Sequence, residues 1–195
     1  MKKGIIITVV TVIIIGIAAA GAFFVTFNGL FHREAKGLIL YGSDKQLSES
    51  KKIQAKNIKN SYETKVKIID KDLMIIREKD MNEFCKHQIV NELKDDGQSE
   101  VVSQIKSAKE TPVYYGKDSK TTIDIAGKKL KVTSGGDVII GNGRIFNKGY
   151  VVVSDSAYKE FKVNESGMML LKLKKAADKE ITNCNYEQVQ LVDIK

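Results

Sequence analysis

The stretch GYVVVSDSAYKEF, residues 149–161, decides the fold class, because an apolar strand passes directly into a short helix. An aromatic residue and three valines predict the strand. Tyr158 and Phe161, three residues apart, predict a helix that packs back onto a sheet. Between them stand Ser154 and Asp155, where many enzymes keep a nucleophile or a base. The same two side chains suit the N-terminus of a helix, where their oxygens accept free N–H groups, and we predict this capping role.

Strand patterns on both sides of this stretch predict an α+β domain with a mixed, largely antiparallel sheet and covering helices. The loop AGKK, with its glycine, predicts a tight hairpin between TTIDI and KLKVT. The remaining candidate strands are KGLILYG, TKVKII followed by LMII, PVYYG, DVII, GMMLLKL and QVQLV.

Two longer helices are predicted from capping patterns, Ser43 with Gln46 and Asp80 with Glu83. The first helix is predicted to bury one face made of Leu47, Ala55, Ile58 and Tyr62. The second is predicted to run to about Leu93 and to bury Met81, Phe84, Cys85 and Ile89. The segment KKAADKEI predicts a further short helix.

An apolar segment precedes the domain, so we predict a membrane anchor over residues 1–27 and an extracytoplasmic domain over 28–195. Gly4–Phe31 contains no charged residue and is long enough to cross the hydrocarbon layer of about 30 Å as one transmembrane helix. A signal peptide is the alternative, because Ala20-Gly21-Ala22 offers a cleavage pattern. Apolar residues continue past that point and favour retention. No cysteine stands at or directly after the end of the run, which argues against a lipid anchor.

The charge pattern excludes one class of partner and favours another. The net charge is +8, from 32 basic and 24 acidic residues, but only three of the basic residues are arginine. Arginine is preferred for forked contacts to phosphates and bases, and the predicted location is outside the cytoplasm, so we predict no nucleic-acid partner. A lysine-rich surface fits an anionic membrane or cell-wall polymer, or it is simply solvated.

The two cysteines, Cys85 and Cys184, leave two interpretations open. Outside the cytoplasm an even pair permits one disulfide. Because Cys85 falls on the apolar face of a predicted helix, two separate buried thiols are at least as consistent with the pattern.

No combination of residues in the sequence matches a known catalytic or metal-binding pattern. His32 and His87 lack further ligands at metal-binding spacing, so no metal site is predicted. The loop GNGRIFNKG does not match the phosphate-binding glycine pattern and leads into a strand. Ser154 lacks the flanking glycines of a hydrolase nucleophile. We therefore predict no catalytic, cofactor-binding or metal-binding residues, and a protein that is not an enzyme.

The order of elements resembles the large extracellular domain of FtsX-like ABC transporter permeases of the bacitracin-resistance type. The similarity involves an apolar helix, GLILYG, the Ser43 helix, KVKIID, IDIAGKKLKVTSGGDVII, MMLLKLKK and, most closely, VVSDSAYKEF. The resemblance implies a sensor domain for antimicrobial peptides or lipid-linked cell-wall precursors, with no catalytic residues. The chain departs from the family in having one apolar segment and no Walker motif.

The sequence thus predicts a single-pass, membrane-anchored binding or sensor module in the cell envelope. The expected partners are the membrane, a cationic peptide or lipid-linked cell-wall precursor, and a polytopic membrane protein or ABC transporter subunit. An alternative is an accessory structural subunit of a membrane complex, because Gly16 and Ala20 form a small-residue helix face. A secreted surface protein of unknown role is a further alternative.

Overall fold

The computed structural model describes residues 35–70, 72–95, 97–146 and 148–194. The predicted anchor over residues 1–27 lies outside the described residues. No helix among the described residues is long and apolar enough to span a membrane.

An eight-stranded sheet forms the centre of the domain. Two of its neighbouring pairs run parallel and the others run antiparallel, which confirms the predicted α+β class with a mixed, largely antiparallel sheet. From one edge to the other, the strands are β13 (Gln188–Val192), β1 (Gly37–Gly42), β12 (Glu165–Leu173), β2 (Ile58–Ile69), β3 (Leu73–Arg77), β11 (Gly149–Val153), β6 (Val113–Tyr115) and β9 (Thr133–Gly136).

Two small sheets accompany the central one. The first contains β10 (Val138–Ile140), β4 (Val90–Leu93) and β5 (Ser99–Val101) in that order. The second is the predicted hairpin of β7 (Thr122–Ile125) and β8 (Lys128–Lys131). Its turn places Ala126 and Gly127 at φ of 51° and 79°, a backbone shape typical of two-residue hairpin loops.

Three α-helices pack on the sheet: α1 (Asp44–Gln54), α2 (Glu78–Lys86) and α3 (Asp155–Glu160). The predicted capping box of α1 is present, since Ser43 Oγ accepts from the Gln46 amide and Gln46 Oε1 accepts from the Ser43 amide. The predicted helix in KKAADKEI is instead two short 3-10 turns, Ala177–Lys179 and Ile181–Asn183.

Alternation along the strands produces two apolar faces. In β1, Ile39 and Tyr41 point to the face covered by α2 and the β10–β4–β5 sheet, whereas Leu38 and Leu40 point to the opposite face. The opposite face is covered at one end by α1 and at the other by α3 and the β7–β8 hairpin. The sheet is therefore enclosed on both sides.

The predicted extent of the first helix is wrong. Helix α1 ends at Gln54, and both Ile58 and Tyr62 lie in β2, where they pair with Leu173 and Leu170 of β12. Lateral pairing with β12 outweighs the helical spacing of these apolar residues, because β12 supplies both backbone hydrogen bonds and a buried neighbour. The residues that α1 buries are Leu47, Ser50 and Gln54.

The second helix is also shorter than predicted, ending at Lys86, and β4 occupies Val90–Leu93. Gln88 adopts a positive φ of 57°, a backbone conformation that ends a helix. The predicted cap at Asp80 is wrong, because the N-cap is Arg77. The predicted burial of the core residues is confirmed for Met81, Phe84, Cys85 and Ile89.

Both cysteines are free thiols. Cys85 packs in the cluster under α2, and Cys184 packs beside the cluster under α1. These clusters lie on opposite faces of the sheet, so the separate-thiol interpretation holds and the disulfide does not form.

Candidate functional site

Ser154 and Asp155 lie where two parallel strands end side by side. Strands β3 and β11 pair in parallel, with Arg77 opposite Val153, and a helix begins after each strand. Ser154 Oγ accepts from the Ala157 amide at 3.3 Å, which confirms the predicted cap. The carboxylate of Asp155 instead faces Lys79 of α2, with 3.0 Å between Oδ1 and Nζ.

A buried ionic network adjoins this joint. Asp80 is 2% exposed, and its carboxylate accepts hydrogen bonds from Arg77 Nε and from the Tyr62 hydroxyl, each at 2.6 Å. Arg77 also donates to Thr64 Oγ1 at 2.8 Å. Burial, and to a smaller extent the hydrogen bond to Asp80, raises the pKa of Tyr62. The Tyr62 hydroxyl therefore remains a hydrogen-bond donor at neutral pH. These groups satisfy one another, and the network fits a structural role.

Among the residues that the structure describes, no group of three or more His, Cys, Asp or Glu side chains is placed to hold a metal ion. His87 lies at the end of α2, where its ring is 6.4 Å from the ring of Tyr62. His32 lies outside the described residues.

A cleft of about 590 Å³ opens where β1 ends and β12 and β13 begin. Its volume falls in the range of small-ligand sites, roughly 300–1,000 Å³. Four separate segments contribute its lining: Tyr41, Gly42, Ser43, Ile68, Asn164, Glu165, Ser166, Glu187 and Gln188.

The floor of the cleft is set by strand register. Tyr41 pairs with Gln188, and Ser166 pairs with Val66, so these side chains share the sheet face that α2 covers. Ile68 lies on the same face, two residues beyond Val66. Tyr41 is buried, and its ring contacts Phe146 edge to face with 5.8 Å between centroids. Burial raises the pKa of Tyr41, so its hydroxyl stays protonated at neutral pH.

Glycines bring the neighbouring backbones close together beside the cleft. A Cβ on Gly167 would lie 2.8 Å from the carbonyl oxygen of Gly42 and 2.6 Å from Leu47 Cδ1. Only glycine permits this approach of β12 to the start of α1. The Glu187 amide donates to the Tyr41 carbonyl at 2.8 Å, which holds the start of β13 against the end of β1.

The cleft is acidic and rich in hydrogen-bond acceptors. Glu165 and Glu187 are exposed at its rim, and the residues that line it include no lysine, arginine or histidine. On the floor, the buried Oε1 of Gln188 has no hydrogen-bond partner among the described residues. A buried acceptor of this kind normally receives a donor, so the arrangement suits a ligand that carries N–H groups and positive charge.

Sequence reasoning did not identify the cleft. Its residues come from positions 41–43, 68, 164–166 and 187–188, and the one pattern recognised among them, the helix cap at Ser43, indicates no ligand. The pairing of β1 with β12 and β13, and of β12 with β2, brings them together.

Comparison with known proteins supports the fold and gives the family. A family model described as an uncharacterised lipoprotein family matches residues 35–195. The fold is similar to the crystal structure of a Bacillus anthracis protein assigned as a lipoprotein, with a TM-score of 0.71 and 19% identity over 83% of this chain and 100% of that one. Comparison with curated protein sequences finds no match.

These findings overturn the resemblance to FtsX-like ABC permeases, because both the family model and the similar structure are lipoproteins. The resemblance depended on a strand-helix-strand order and a capped joint, which recur in unrelated mixed domains.

The lipoprotein assignment agrees with the predicted extracytoplasmic, membrane-attached location. It indicates a lipid anchor where we predicted a transmembrane helix and argued against lipid, although both cysteines of this chain lie inside the folded domain. The chain belongs to this uncharacterised lipoprotein family.

Proposed function

We propose that the protein is a membrane-attached binding module, not an enzyme, and that its cleft holds a cationic group of a peptide or cell-wall precursor. The observation that carries the proposal is the buried Oε1 of Gln188, which has no hydrogen-bond partner among the described residues, in a cleft that Glu165 and Glu187 also line. A primary ammonium or guanidinium group would donate a hydrogen bond to Gln188 Oε1 and would be attracted by the carboxylates of Glu165 and Glu187.

The environment of the cleft favours recognition over catalysis. Its hydroxyl groups are those of Tyr41, Ser43 and Ser166, and none has a histidine among the lining residues to accept its proton. Ser43 is already engaged in the capping box of α1. A cleft with hydrogen-bond acceptors and without an activated nucleophile suits reversible binding of a ligand that carries hydrogen-bond donors.

The experiment measures binding of fluorescently labelled tetralysine to the purified full-length protein by anisotropy, at low and at physiological salt. We expect saturable binding that weakens at least several-fold in Glu165→Gln/Glu187→Gln. The matched control is Glu100→Gln/Glu110→Gln, which makes the same charge change away from the cleft and should leave the affinity unchanged. Labelled tetraglutamate should not bind.

Three results would contradict the proposal. One is the absence of saturable tetralysine binding, and another is an equal loss of affinity in the control variant, which would indicate nonspecific attraction. The third is recovery of cleaved or modified peptide, detected by mass spectrometry, which would indicate an enzyme.

A further inference from the structure

The chain enters the domain at the end of the sheet opposite the cleft along β1. Ala35 and Lys36 precede β1, and their carbonyl oxygens accept hydrogen bonds from the amides of Ala177 and Leu173, at 2.8 and 2.7 Å. The cleft adjoins Gly42, at the other end of this six-residue strand. The strand separates the two ends by about 20 Å.

Five exposed lysines gather at the end where β1 begins, and we call them the proximal lysine cluster. The Lys174 amide donates to the Asn57 carbonyl at 2.8 Å, and Lys174 Nζ donates to the Lys56 carbonyl at 3.0 Å, which joins these two turns beside the start of β1. The cluster consists of Lys36, Lys56, Lys174, Lys175 and Lys179.

The lysines of the cluster are not paired with carboxylates among the described residues. None of the ion pairs between described residues includes a member of the cluster. Asp178 and Glu180 lie in the same segment as Lys179, and Asp193 follows β13, whose Val192 pairs with Gly37. Five lysines therefore face three carboxylates, and the local charge is positive. The surface therefore favours an anionic partner.

The length of the preceding chain indicates which anionic partner is within reach. The uncharged run Gly4–Phe31 is separated from Gly37 by residues 32–36 alone. Five extended residues span at most about 18 Å. A chain attached to the membrane through the segment before residue 32 keeps the start of β1 near the headgroups, where lysines are attracted to anionic lipid.

We propose that the proximal lysine cluster contacts anionic phospholipid headgroups, so that this end of the domain lies on the membrane surface. The cleft then faces away from the membrane, where envelope ligands reach it. This orientation requires that the attachment lies in the segment before β1, and it depends neither on the chemistry of that attachment nor on the identity of the ligand in the cleft.

The test is acetylation of lysines in full-length protein reconstituted into vesicles, followed by mass spectrometry. One set of vesicles contains phosphatidylcholine alone and the other contains phosphatidylcholine with phosphatidylglycerol. In the anionic vesicles we expect Lys174, Lys175 and Lys179 to react about fivefold more slowly than in the neutral ones. Lysines of β8 should react at equal rates in both.

Matched variants separate a local contact from a general charge effect. Lys174→Gln/Lys175→Gln/Lys179→Gln should remove the protection of Lys36 and Lys56, whereas Lys128→Gln/Lys129→Gln/Lys131→Gln, with the same change of net charge, should leave it intact. The proposal is overturned if cluster lysines react equally fast in both vesicle types, or if the two variants lose protection to the same extent.

Discussion

Asp155 Oδ1 lies 3.0 Å from Lys79 Nζ, and this ion pair joins the first turns of two helices that cover opposite faces of the central sheet. The contact exists because β3 and β11 are parallel neighbours, so that the helices following them begin side by side. Both side chains are more than half exposed, at 57% and 54%. Such pairs contribute at most about 1 kcal/mol, and the Ser154 cap is the stronger part of the joint.

We predict that Ser154→Ala lowers the free energy of unfolding by about 1 kcal/mol and that Asp155→Ala lowers it less. Ser154 loses a hydrogen bond within α3, whereas Asp155 loses an exposed ion pair. Urea unfolding measures both effects, and tetralysine binding should be unchanged. A normal unfolding curve combined with lost binding would show that these residues form a functional site. As a control, Val152→Asp, at a fully buried position, should cost several kcal/mol.

We predict that Lys67→Met destabilises the protein by about 2 kcal/mol. Lys67 is only 5% exposed, and its Nζ donates to the carbonyls of Tyr158 and Phe161 at the end of α3. Methionine would fill the space but leave these carbonyls without their donor. Lys65→Met, on the same strand face but with an exposed partner, Asp44, should cost less than about 1 kcal/mol. Equal urea midpoints for the two variants would refute the role assigned to Lys67.

We predict that Asp80→Asn costs about 3 kcal/mol, because it leaves the partly buried Arg77 without its closest counterion. Glu83→Gln on the same helix removes an exposed pair with Lys86 and should cost less than about 1 kcal/mol. Thermal and urea unfolding of both variants provide the comparison. If Asp80→Asn were as stable as Glu83→Gln, the ionic network would not stabilise this joint.

We predict that Cys85 makes stability fall at alkaline pH. Burial raises the pKa of Cys85 from its ordinary value of 9.0 to about 11, so the folded protein holds the thiol proton more tightly than the unfolded chain. This contribution is fully present below the unfolded pKa and is lost as the pH rises through the folded pKa. The stability advantage of the wild type over Cys85→Ala, measured by urea unfolding, should shrink as the pH rises over this range. An advantage independent of pH would disprove the assignment.

Local signals predicted the parts of the fold that local hydrogen bonds determine. The capping box of Ser43 with Gln46 and the strand-to-helix joint at Ser154 each involve atoms within three residues, so their sequence patterns predicted them correctly. Short apolar runs predicted the strands β1, β11 and β12. The helix predicted to include residues 58–62 was wrong because the helical spacing of the apolar residues competed with pairing of this segment to the distant strand β12.

The sequence by itself determined an α+β domain behind an apolar segment, with a capped helix after β11 and without a recognisable catalytic motif. Tertiary structure alone decided the rest. Cys85 and Cys184 stay apart because strand alternation directs their helix and turn to opposite faces of the sheet. The cleft exists because β1 pairs with β12 and β13, which begin more than a hundred residues later. Such contacts depend on strand order and register, which no short stretch of sequence encodes.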